Sequence, residues 1–122
     1  MFTVIHVERV YWKDVQTSLN AFIRDLNQDM NWPPQKREML NKQIISYCKQ
    51  GTGHQNILYK FISYQFDQKL ENKITKIQFD IFTNEISVIC KYLDENYLNK
   101  YPKRKKTLKS IKDIARWYWV GR

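Results

Sequence analysis

Glycine and proline are scarce in this chain, with three of each in 122 residues. So few turn formers exclude a loop-rich or many-stranded architecture and favour long regular elements. Cysteine is scarcer still. Cys48 and Cys90 both fall at apolar positions of predicted helices, so buried, reduced thiols are expected rather than a disulfide framework. Uncharged apolar runs never exceed a few residues, too short to cross a bilayer. The N-terminal stretch MFTVIHVERVYW has neither the basic start nor the continuous apolar segment of a secretion signal, and a cytoplasmic location is expected.

Reaction signatures are missing as well. The two histidines, His6 and His54, lie far apart, and no Cys or His pair has zinc-ligand spacing. There is no P-loop, no GxGxxG and no GxSxG. Asp25/Asp29 and Asp94/Glu95 read as solvated helix faces rather than catalytic acid pairs, and His54 as a polar residue at a helix start. No residue type is placed to suggest a reaction, a metal or a cofactor, so a non-enzymatic protein is expected.

What the chain does have is apolar bulk. Hydrophobic residues make up 43% and aromatics 15% of it, enough for one globular core. The apolar periodicity predicts an all-α, single-domain bundle of about five helices. Residues 2–10 alternate loosely and read as a short extended segment or an irregular lead-in.

Val15, Leu19, Phe22 and Leu26 recur at helical steps and predict a first helix from about Trp12 to Gln28. Pro33-Pro34 breaks the chain and opens a second helix, with Leu40, Ile44, Tyr47 and Cys48 inward. Gly51 suits its C-terminal cap. A third helix from about Gln55 to Glu71 is crowded by Leu58, Phe61, Ile62, Tyr64 and Phe66, which predicts a central helix touched on several sides.

Residues 77–88 alternate well enough for a β-hairpin. Against that, Thr75-Lys76-Ile77-Gln78 is a capping box, Ile74 and Phe79 complete a hydrophobic staple, and Phe82, Ile86, Ile89, Leu93 and Tyr97 hold one helical stripe. One long helix over 76–98 is predicted, with Phe61, Phe82, Ile86, Ile89 and Leu93 buried.

Charge divides the chain into a body, residues 1–99, and a basic segment, residues 100–122. The segment carries nine Lys/Arg against one acid, Asp113; the body carries twelve against eleven. A nearly neutral body with a strongly basic end is an electrostatic handle for a polyanion. The segment contains Lys103-Arg104-Lys105-Lys106 and then a predicted last helix capped by Thr107. On that helix Leu108, Ile111, Ile114, Ala115, Tyr118 and Trp119 share one arc, predicted to pack on the body. Lys109, Lys112 and Arg116 share a flanking arc, and Trp117 points away.

Lysine and arginine neutralise phosphates, and an exposed indole stacks on an unpaired base. The candidate nucleic-acid-binding residues are therefore Lys103, Arg104, Lys105, Lys106, Lys109, Lys112, Arg116 and Trp117. A helix-turn-helix made by the second and third helices is disfavoured. The third is too apolar for a groove-reading face, and its outward bases are expected to be few beyond Lys60 and Lys69.

The expected function is a small cytoplasmic binding protein that contacts DNA or RNA phosphates in an accessory or regulatory role. The alternative is an inhibitor or immunity-type factor that blocks an acidic or nucleic-acid-binding surface of a partner protein. The excess of lysine over arginine, with many Ile, Asn and Tyr, fits an AT-rich coding sequence and hints at a phage or mobile element.

Overall fold

A computed structural model describes residues 9–98 and 110–121, with the side chains of residues 97 and 98 outside that description. Among the described residues every regular element is helical: α1 Trp12–Asn27, α2 Pro34–Cys48, α3 Thr52–Glu71, α4 Lys76–Ile89, a short α5 Lys91–Leu93 running into a π-helical turn Asp94–Leu98, and α6 Ile111–Val120. The chain is an all-α bundle, as the periodicity predicts. Residues 1–8, where an extended lead-in was one reading, lie outside the described part.

The bundle is organised around α2. This helix packs on α1, α3, α4 and α5, while α6 lies across α3 and α4. Helix α3 is touched on more than one side, as expected, by α2 and α6 and, through Phe66, by α4. The inner face of α3 is the line Leu58, Ile62, Phe66 and Lys69, and Ile57 and Tyr64 face outward. Phe61, expected in the core, is only half-buried and packs edge-on against Trp12 at the rim, ring centroids 5.3 Å apart. Lys69 lies inside rather than on the outward face. The four expected inward residues of α2, namely Leu40, Ile44, Tyr47 and Cys48, are all buried.

Each junction has a local cause. At the end of α1, Asp29 adopts a left-handed conformation (φ 56°). Its amide donates to Leu26 O and that of Met30 to Asp25 O, the paired bonds of a Schellman cap. Trp32 is then drawn into the core. It lies edge-on to Phe22 at 5.1 Å, and its indole N–H donates to Asp25 Oδ2 at 2.7 Å. Asp25 is thus a structural acceptor rather than a solvated acid, and the indole hydrogen bond holds its carboxyl below the usual range. Pro34 opens α2 as expected. Gly51 has φ 148°, a backbone that only glycine adopts without strain. Helix α3 starts directly after it at Thr52, three residues earlier than the sequence suggests. The Gln50 side-chain amide accepts from Val10 N at 2.9 Å and donates to Val10 O at 2.8 Å, tying the lead-in to this joint.

Helix α4 begins as its capping box requires. Thr75 Oγ1 accepts from Gln78 N at 3.2 Å, and Gln78 Oε1 accepts from Thr75 N at 3.0 Å. The β-hairpin reading of this stretch is excluded. The single long helix over 76–98 is corrected, because it breaks at Cys90. Asn41 on α2 donates its side-chain amide to Ile89 O at 2.8 Å. That carbonyl would otherwise take the amide of Leu93, which turns to Cys90 O instead. A side chain inserted into the helical ladder is a recognised cause of a kink. The expected stripe survives the break as far as Leu93: Phe82, Ile86, Ile89 and Leu93 are all buried, and the side chain of Tyr97 lies outside the described residues.

Both cysteines are free thiols in the core. Burial pushes the Cys48 thiol up to about 12 and that of Cys90 higher still, as an apolar site disfavours a thiolate.

Candidate nucleic-acid interface

The C-terminal helix is built from an N-terminus that is well held. Ser110 caps it by accepting the amide of Asp113 at 3.1 Å. A second acceptor arrives from the body, as Asp94 Oδ1 takes the Ile111 amide at 2.7 Å. Two amides without intrahelical partners are thereby satisfied. The expected cap, Thr107, lies outside the described residues; the described helix starts at Ile111 under Ser110. The pattern Ser110-x-x-Asp113 ahead of Ile114-Ala115 was the signal that could have located it. Asp94, expected on a solvated face, is half-buried at this junction. Burial raises its carboxyl to about 6, against the pull of the Ile111 amide.

Apolar docking fixes the roll of α6. Ile111, Ile114 and Ala115 are buried, as the arc predicts. Tyr118 lies half-buried with its ring 6.4 Å from Phe66, and burial raises its hydroxyl above the usual range. Trp119 packs on Phe79 at 5.1 Å, and the Lys76 ammonium sits 4.9 Å from the Trp119 ring. Four elements therefore hold this helix: α3, α4, the turn at Asp94, and its own cap.

The face left outward carries three of the candidate residues. Lys112 and Arg116 are exposed one turn apart, and among the described residues neither forms an ion pair. Trp117 is 52% exposed, its ring standing at 89° to that of Tyr118 with centroids 4.9 Å apart. Lys103, Arg104, Lys105, Lys106 and Lys109 lie outside the described residues.

Among the described residues no three His, Cys, Asp or Glu side chains converge as metal ligands, and no helix is long and apolar enough to cross a membrane. His54 sits in the first turn of α3 with its ring 5.1 Å from Tyr47. No protein-family model, curated protein or solved structure matches the chain.

Proposed function

We propose that this chain is a small, non-enzymatic cytoplasmic protein that binds nucleic acid through its basic C-terminal segment, in an accessory or regulatory role. The observation that carries the reading is the roll of α6. Its apolar arc is consumed by packing, so Lys112, Arg116 and Trp117 face solvent together. They belong to the segment that holds nearly all the net charge of +9. Affinity in such a segment comes from phosphate neutralisation and counterion release, with little base readout. DNA and RNA are both substrates of that chemistry.

The test is fluorescence anisotropy with a labelled single-stranded oligonucleotide of mixed sequence. Wild type should bind at low ionic strength and weaken steeply with salt. Replacing Lys103, Arg104, Lys105 and Lys106 with alanine should weaken binding and flatten the log–log salt slope by up to about one unit per lost phosphate contact. Absence of salt-sensitive binding by the wild type would sink the proposal.

The second reading, an inhibitor or immunity-type factor that blocks a partner protein, has one observation in its favour. Ile77, Ile81 and Val88 line the outer face of α4 and are 73%, 56% and 64% exposed. An apolar stripe of that kind suits a protein interface, which would persist at moderate salt and depend on a few apolar anchors.

A further inference from the structure

Lys69 sits in the last turn of α3, on the buried line that begins with Leu58, and is 8% exposed. Burying an ammonium is costly unless a counter-charge accompanies it. Among the described residues no carboxylate lies within ion-pair distance of it. Its compensation is neutral. The ammonium donates to Asn27 Oδ1 at the end of α1 and stands 4.9 Å from the Phe82 ring. Burial lowers its pKa, as expected for a cation without a counter-charge.

The ammonium does not face solid core. Lys69 and Phe82 line a cavity of about 250 Å³ between the ends of α1 and α3 and the start of α4. Leu26 and Ile74 add apolar wall, and Asn27, Asn72 and Gln78 bring amides from an exposed rim. Two of those amides have their oxygens engaged already, Asn27 by Lys69 and Gln78 by the Thr75 amide. Each of these amides also carries an NH2 group that can donate to a ligand. Asp29 is the acid on the rim, exposed to water. The cavity thus has a cationic floor, donors at its mouth and an aromatic wall.

We propose that this cavity is a binding site for a small organic anion, a carboxylate carried on an apolar or aromatic body. The carboxylate would meet Lys69 Nζ and the Asn27, Asn72 and Gln78 amides, and its ring would lie on Phe82 and Ile74. The size is adequate, since a cavity of roughly 150 Å³ accepts benzene. A bound anion supplies the counter-charge that none of the described residues provides, and charge-assisted hydrogen bonds are about twice as strong as neutral ones.

The experiment is an NMR titration of the full chain with benzoate as probe and benzamide as its neutral control. Benzoate should produce saturable shifts in the Asn27, Asn72 and Gln78 side-chain amides. Benzamide should bind at least about tenfold more weakly, the loss expected for one charge-assisted hydrogen bond. Lys69→Met, which keeps the length of the stem, should cause a similar loss. Asn72→Ala, on the exposed rim, should weaken binding by about threefold with the circular dichroism spectrum unchanged. The proposal is overturned if benzoate gives no saturable shifts at the cavity, or shifts only the neighbourhood of Lys112 and Arg116. Equal affinity for benzoate and benzamide would also overturn it, and that comparison needs only the wild type should Lys69→Met fail to fold.

Discussion

Tyr47 shows how a single buried group can work against its own site. Its ring is enclosed by Trp12 and His54, and among the described residues its hydroxyl has no hydrogen-bond partner. A buried hydroxyl without a partner costs about 1–3 kcal/mol of desolvation, so Tyr47→Phe should not destabilise the fold and should gain up to about 1 kcal/mol in urea denaturation. Asp94 makes a different kind of compromise. Its carboxyl is raised to about 6, chiefly by burial, above the ordinary 3.8. The native state therefore holds this proton more tightly than the unfolded chain. The group's contribution to stability is fully present below about pH 4 and is lost as pH rises through about 6. Asp94→Asn keeps an oxygen for the Ile111 amide and removes the titration. Wild-type stability relative to this variant should therefore improve on acidification from about pH 7 to about pH 4, as followed by urea denaturation at each pH. A pH-independent difference would show that Asp94 titrates normally.

Among the elements, α4 carries the clearest local instruction. Both halves of its capping box are formed, and Thr75 is exposed, so little but the cap is at stake there. Thr75→Ala should cost about 1 kcal/mol in thermal or chemical denaturation. The end of α3 has a weaker instruction. Lys73 adopts φ 53° as its amide closes on Leu70 O, a position where glycine is preferred. Lys73→Gly should raise stability by about 0.5–1 kcal/mol, since a side chain with a Cβ is strained in the left-handed region. A loss of stability would mean that the Lys73 side chain contributes contacts exceeding that strain.

For the whole molecule, charge and apolar bulk are separated along the chain. Among the described residues the core of α1–α5 buries one cation, Lys69, and the net charge is gathered in the sequence on the segment that ends in α6. Because α6 is fixed by Ile111, Ile114 and Ala115, changing its outer face should leave the fold intact. Trp117→Ala should therefore weaken single-stranded binding by about 1–3 kcal/mol while changing duplex binding less, measured by anisotropy with the two oligonucleotides. An equal effect on both would show that the indole does not stack on bases.

The helical class, the α2 and α6 faces and the start of α4 were legible in the sequence because their causes are local. Apolar spacing fixes which side of a helix turns inward, and the Thr75/Gln78 box acts over one turn. The same spacing gave the roll of α6, and with it the outward placement of Lys112, Arg116 and Trp117. The break at Cys90 was not legible, because the amide that takes Ile89 O belongs to Asn41, 48 residues away. Nor was the burial of Trp32, which depends on Asp25 and Phe22 meeting it across the left-handed turn at Asp29. Lysine is ordinarily a surface residue, so sequence alone puts Lys69 outside. Its position on the inward line is imposed by three helix ends converging around one cavity. Periodicity describes one helix at a time; which helices meet, and which polar groups they trap where they do, is settled only by the packing of the whole chain.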